Sequence, residues 1–266
     1  MAGRSVIVTG VATGIGRATA LRFAGAGERV VIVCKSEEKG RSLAEVIKSQ
    51  GGDAVFIQAK TAKRLSVHNI IAEALEAYGR VDVLVHCDGL FQSAPFMETT
   101  EEQFDTLVDA NLRSTFLLNQ AVCKQIIKQA GETDDGGVDQ AWGSAIINLT
   151  TTESVTASAN HAVFAATQGA ITQLTKAVSM TLAPYGARAN AVGIAAIREE
   201  LDDIEEGKGS RDKASPSTPL ARKGEPEEVA NTIFFLASRD ASFITGQSIY
   251  VDGGRLAQYR RGDRTG

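Results

Sequence analysis

The feature that most restricts the fold of this chain is a regular alternation of short apolar, β-branched runs with segments of helical period. "SVIVTG" (5–10), "RVVIVC" (29–34), "AVFIQA" (54–59), "VDVLVHC" (81–87), "SAIINLT" (144–150), "RANAVGI" (188–194) and a closing "SIYVDGG" read as strands. Between them stand "GIGRATALRFAGAG", "EEKGRSLAEVIKSQGG", "VHNIIAEALEAYG", a long stretch over 101–129, another over 162–183, and "EPEEVANTIFFLAS". Thr100 and Gln103 have capping-box spacing at the head of the long stretch, and Pro226 suits a first helical position. Strict strand–helix alternation predicts a parallel sheet with helices on both faces. Ligands of such a sheet sit beyond the C-terminal strand ends, where the strand order reverses.

Length and composition narrow this further. A chain of 266 residues fits one large α/β domain, expected over 1–254, with a basic tail over 255–266. No internal repeat is visible. A net charge of −4 argues against a nucleic-acid partner. No apolar run of about 18 residues exists, so no membrane span is expected. "MAGRSVIVTG" lacks the layout of a signal peptide, which makes the cytoplasm the default location. Cys34, Cys87 and Cys123 have neither metal-ligand spacing nor a pairing pattern and read as buried, reduced thiols; no metal site is expected.

"TGVATGIG" (9–16) joins the first strand to the first helix. Its glycines let the backbone turn tightly and approach a phosphate, and the helix then presents free N–H groups to a pyrophosphate. In this context the turn predicts a dinucleotide site on a Rossmann-type, doubly wound parallel sheet. Gly10, Thr13, Gly14, Ile15 and Gly16 are its candidate contacts.

The TGxxxGIG turn, "DANLRSTFLL", "GSAIINLTTTES", "APYGARANAV" and the whole of 219–254 resemble the short-chain dehydrogenase/reductase family, and look most like its 3-oxoacyl-carrier-protein reductases. The resemblance implies hydride transfer between a nicotinamide and a carbonyl or alcohol. It further implies a tyrosine acid/base, a lysine four residues on that binds ribose and lowers the tyrosine pKa, a serine that holds substrate oxygen, and an asparagine that supports a proton relay. By the same resemblance Asn111 falls at the asparagine position and Thr151 at the serine position. "VFAATQGAI" (163–171) puts Phe164 at the tyrosine and Gln168 at the lysine. Phenylalanine has no proton to give, and neutral glutamine keeps only a hydrogen bond to a ribose hydroxyl.

Other positions depart too. The NNAG turn of the family reads "HCDG" (86–89), with Gly89 retained as a cofactor contact. Lys60 stands for the adenine-contacting aspartate, and Ile194, Ala195 and Glu199 for the proline, glycine and threonine after the sixth strand. The second strand ends in Cys34-Lys35-Ser36; Lys35 favours a 2′-phosphate, so NADP(H) is expected over NAD(H). His161 is a candidate relocated proton donor, with Glu153 and Asp88 as further titratable groups near the strand ends, and Tyr185 reads as structural. "REELDDIEE" (198–206) gives the lid region an acidic face that would repel acidic carriers, and 130–142 reads as a surface insertion on the side away from the site.

Three functions stay open on these residues. One is a nucleotide-binding homologue without the standard chemistry, inactive or serving a partner. Another is an NADP(H)-dependent carbonyl or alcohol oxidoreductase with a moved proton donor. The last is a non-redox catalyst anchored on Thr151 and Asn111. The substrate is an unknown small molecule. The near-intact C-terminal third implies a homo-oligomer, a dimer or tetramer, or a hetero-oligomer with an active paralogue.

Overall fold

The central strands are largely apolar because both faces of the sheet are covered there. A computed structural model describes residues 3–12, 14–131, 143–198 and 218–258. Seven strands form one parallel sheet: β1 (Ser5–Thr9), β2 (Arg29–Cys34), β3 (Asp53–Gln58), β4 (Val83–His86), β5 (Ala145–Thr151), β6 (Arg188–Ile194) and β7 (Ser248–Val251), in the order β3-β2-β1-β4-β5-β6-β7. Alternate residues of each strand serve opposite cores. Val6, Val8, Val30, Ile32, Val83 and Val85 face α1 (Gly14–Ala24), α2 (Glu37–Ser49) and α7 (Pro226–Ala237), where Phe23, Ile47 and Ile233 are buried. Ile7, Val31, Val33 and Leu84 face α3 (Arg64–Tyr78), α5 (Ser114–Gly131) and α6 (Ala162–Leu182), where Ile70, Leu118 and Leu182 are buried.

The expected long helix over 101–129 is divided. α4 (Glu101–Leu107) opens with the capping box, Thr100 Oγ1 accepting from Gln103 N and Gln103 Oε1 from Thr100 N. A π turn over Val108–Arg113 follows, and then α5. The wide turn leaves the Asn111 carbonyl to two hydroxyls, Thr115 Oγ1 at 2.6 Å and Ser114 Oγ at 3.2 Å.

Buried polar groups tie the layers together. Asn119 and Asn148 exchange amide hydrogen bonds of 2.9 and 3.0 Å, and Asn148 also donates to Thr175 Oγ1 at 3.0 Å, linking α5, β5 and α6. All three cysteines are free and buried, and burial raises each thiol pKa, that of Cys123 to about 12. No described helix is long and apolar enough to cross a membrane. Thr13, Glu199, the insertion over 132–142, the lid region beyond Arg198 and the tail from 259 lie outside the described residues.

Candidate nucleotide and substrate cleft

Strand order reverses between β1 and β4, and the chain leaves both strands at the same edge. Gly10 has φ +70°, and a β-carbon on it would stand 2.6 Å from the Cys87 carbonyl carbon. One on Gly16 would stand 2.4 Å from the Gly10 carbonyl oxygen. The two glycines let the turn lie flat on the end of β4 and let α1 start directly behind it, with Gly14 and Ile15 in the first helical turn. The N–H groups at the head of a helix and the helix dipole suit a pyrophosphate. Gly89 is exposed at the end of β4, with Asn111 Oδ1 3.8 Å from where its β-carbon would be.

Beneath the turns runs a buried polar chain. Cys87 N donates to Thr9 Oγ1 at 3.2 Å, and Thr9 Oγ1 stands 2.9 Å from His86 Nδ1. On the other side of the ring, Nε2 lies 3.3 Å from Ser114 Oγ. Ser114 directs its proton to the backbone carbonyls of Ala110 at 2.6 Å and Asn111 at 3.2 Å, so toward the imidazole it can only accept. The proton of His86 therefore sits on Nε2, and Nδ1 receives the Thr9 hydroxyl. Burial lowers the His86 pKa against an opposing effect of Asp88. The folded state thus refuses a proton that the unfolded state accepts below about pH 6.5. Stability is full above that pH and falls as pH drops toward the lowered folded value, by up to about 1.4 kcal/mol per pH unit. We expect His86→Asn, which does not titrate, to flatten this limb; urea midpoints of the two proteins between about pH 5 and 7.5 read the difference. Parallel profiles would mean that His86 is not held neutral.

Two lysines stand at the end of the crevice beside β2. Lys35 is exposed at the end of β2, and Lys39, one turn into α2, reaches across to donate to the Ala12 carbonyl at 3.3 Å. Lys39 is absent from the contacts expected above; it lies in the first turn of α2, outside the glycine motif. Asp88 accepts from Thr61 Oγ1 at 3.0 Å in the same crevice. After β6, Ile197 bridges to Gly224, and the Arg198 carbonyl oxygen lies 3.7 Å from the β-carbon position of Gly14. This brings Arg198 beside the glycine turn, held by Glu225 at 3.4 Å; no local pattern announced that contact.

The substrate side is built by β5, the loop after β4 and the head of α6. Asn111 is fully buried, and its amide brackets Leu90, accepting from its N–H at 2.7 Å and donating to its carbonyl at 2.9 Å. Its third contact is Thr167 Oγ1 at 3.2 Å, so the side chain holds the loop after β4 in place. Thr151 Oγ1 accepts from Glu153 N at 3.2 Å, which leaves its own proton for a ligand. Gln168 is buried, and its Oε1 accepts from Thr150 Oγ1 at 3.1 Å. Phe164, one turn earlier on the same face of α6, is buried with its ring edge-on to Phe91 at 5.0 Å. His161 also meets Phe91 edge-on, at 4.9 Å, and its Nδ1 lies 2.8 Å from Glu153 Oε1. Thr151, Glu153, His161 and Phe164 are thus brought together, while Lys35 and the glycine turn stand at the other end of the crevice. Among the described residues no cluster of three metal-ligating side chains occurs.

The comparisons agree with this arrangement. A family model described as Enoyl-(Acyl carrier protein) reductase matches residues 10–255. The chain is 34% identical to the 3-oxoacyl-(acyl-carrier-protein) reductase of Staphylococcus epidermidis, over 94% of this chain and 98% of that protein. Among solved structures, acetoin dehydrogenase from Enterobacter cloacae matches with a TM-score of 0.86 at 27% identity, covering 98% of both chains. ElxO with NADP bound matches with a TM-score of 0.85 at 28% identity, covering 96% of this chain and 100% of that one. The parallel sheet, the glycine turn at its reversal point and these matches along nearly the whole length place the chain in the short-chain dehydrogenase/reductase family of oxidoreductases.

Proposed function

We propose that this protein binds a nicotinamide dinucleotide, NADP(H) in preference to NAD(H), and that it lacks the family's tyrosine–lysine proton transfer. The observation that carries the cofactor reading is the basic end of the crevice. Lys39 spans from α2 to the glycine turn, and Lys35 stands exposed at the end of β2. Gly10, Gly14, Ile15 and Gly16 would hold the pyrophosphate on the head of α1, and Arg198 would stand beside it. The bound nicotinamide would supply or accept hydride. ElxO, solved with NADP, supports the choice of cofactor.

Phe164 and Gln168, in this reading, occupy the tyrosine and lysine places. They lie on one face of α6 at the required spacing, but the phenyl ring carries no titratable proton and the amide is turned to Thr150. Calorimetric titration with NADPH and NADH tests the cofactor reading directly. NADPH is expected to bind more tightly, and Lys35→Glu with Lys39→Glu is expected to weaken NADPH by about 10²–10⁴-fold while changing NADH little, since each of the two charge-assisted contacts contributes about 1.5–3 kcal/mol. Equal loss for both nucleotides would move the lysines away from the 2′-phosphate, and absence of binding would overturn the reading.

Assembly into a homo-oligomer, dimer or tetramer, is part of the same reading, a hetero-oligomer with an active paralogue being the other form. Phe116, Met180, Phe235 and Phe243 are exposed on or beside α5, α6 and α7, which suits further burial between subunits. Light scattering of the purified chain, alone and mixed with such a paralogue, distinguishes them.

A further inference from the structure

We infer that His161 is the acid/base of this cleft and that Glu153 is its positioning residue. The inference rests on the nicotinamide-binding reading above.

The carboxylate of Glu153 only accepts hydrogen bonds, so the 2.8 Å contact fixes the proton of His161 on Nδ1. In the neutral ring Nε2 then carries the lone pair; in the charged ring it carries a second proton. Nε2 has no hydrogen-bond partner among the described residues, and the ring is partly exposed, at 24%. A carboxylate that fixes the tautomer of an imidazole whose other nitrogen is free is the arrangement general acid/base work requires.

Position supports the assignment. Phe91 stands edge-on to both His161 and Phe164, so the imidazole and the phenyl ring border one wall of the cleft. The imidazole is joined through Glu153 to Thr151, whose hydroxyl accepts from the Glu153 backbone. Glu153 thus meets the Thr151 hydroxyl through its backbone and the His161 ring through its carboxylate. Glu153 Oε2 is buried without a partner, which is a costly arrangement for a group with a purely structural task. Glu153 is the titratable group in contact with the ring. The aromatic neighbour, Phe91, is apolar, as is Phe164 beyond it, and Gln92 and Asn160 line the small cavity beside them.

The proton step follows. A bound nicotinamide would supply the hydride that reduces a carbonyl carbon; the chain's own part is the proton. The O–H bond forms at the oxygen as the Nε2–H bond of the imidazolium breaks, and the ring is left neutral with its proton on Nδ1. Oxidation of an alcohol runs the same transfer backward, with Nε2 taking the hydroxyl proton. Thr151 donates to the same oxygen throughout.

Two measurements test this. In protein labelled with ¹⁵N at histidine, the neutral His161 ring is expected to show a protonated Nδ1 and a bare Nε2. Glu153→Ala is expected to abolish that preference, and Glu153→Gln, whose carbonyl still accepts, to keep it. A bare Nδ1 in the parent, or no response to Glu153→Ala, overturns the pairing. Turnover is then followed with acetoacetyl-N-acetylcysteamine and NADPH, and with acetoin and NADP⁺. His161→Gly is expected to lower kcat by about 100-fold or more with KM and NADPH affinity little changed, and added imidazole to restore a substantial part. Unchanged kcat, loss without imidazole rescue, or no turnover of either probe by parent protein that binds NADPH overturns the assignment. Parent protein that binds neither nucleotide fails the preceding reading instead, and this one with it. Folding does not hang on the ring, because the loop that carries it is held by Ala94 N to the Asn160 carbonyl at 2.9 Å and Phe96 N to the Ala159 carbonyl at 3.2 Å.

Discussion

Phe164→Tyr together with Gln168→Lys, made in a His161→Gly background, is expected to raise carbonyl reduction by about 10²–10⁴-fold over that background, the usual contribution of a positioned acid/base. Either change alone is expected to give little, because a phenol without a cation nearby keeps a high pKa and a lysine without a phenol moves no proton in the reaction. The two sites have the right relation for the gain. They are four residues apart on α6 and both buried on its inner face. Tyrosine adds one oxygen at the far end of a ring already seated edge-on to Phe91. Lysine at 168 meets Thr150 Oγ1, a hydroxyl that now donates to the glutamine and can accept from an ammonium instead. Burial of that ammonium costs stability and lowers its pKa, so a modest fall in melting temperature should accompany the gain. Steady-state rates of the His161→Gly protein with neither, either and both changes give the result. A folded double variant that binds NADPH and gains nothing would show that these positions are not the family's tyrosine and lysine. In the double variant His161→Gly should be tolerated far better than in the parent, because the proton then has a second route.

The sheet, its helices and the glycine turn were legible because each rests on local chemistry. Apolar β-branched runs make strands, and Thr100 with Gln103 or Pro226 opens a helix wherever the sequence is met. The π turn at Val108–Arg113 was not, since it breaks no propensity rule and shows only in the hydroxyls that collect the Asn111 carbonyl. The site divides in the same way. Residues carried by motif position, such as Gly10, Asn111 and Thr151, could be put forward as candidates from the sequence. Their contacts could not. Asn111 was expected at a proton relay, and its amide is found bracketing Leu90. Glu153 and His161 were each visible as single titratable residues, but their pairing depends on how the turn after β5 folds back on the head of α6. Phe91, which borders both rings, lies seventy residues from His161, and nothing in its own surroundings marks it.

Arg188→Met is expected to destabilise the fold by about 2–5 kcal/mol, since a buried carbonyl that loses its donor costs about 1–3 kcal/mol and two, those of Leu236 and Ser238, do so here, the Ile244 carbonyl keeping Asn190 Nδ2 at 2.7 Å. Arg188 opens β6 and is only 4% exposed. Its Nη1 donates to the Leu236 carbonyl at 2.6 Å and the Ile244 carbonyl at 3.3 Å, and its Nη2 to the Ser238 carbonyl at 2.9 Å. Two of these close the C-terminus of α7, where the helix dipole favours a cation. Arg4 joins it there, donating to the Ala237 carbonyl at 2.6 Å, and is itself paired with Glu28. Burial and the neighbouring Arg4 both lower the Arg188 pKa, yet a guanidinium stays charged at any working pH. Methionine fills similar space but supplies no donor. Lysine restores one or two of the contacts and should recover part of the loss. Urea midpoints of the three proteins measure it, and a Met variant within about 1 kcal/mol of the parent would show that the carbonyls find other donors. Arg188 sits at the N-terminal end of its strand, whereas the crevice lies beyond the C-terminal ends. Well below its melting point, the Met variant should therefore bind NADPH as the parent does, because the sheet separates the end that secures α7 from the end that presents the glycine turn.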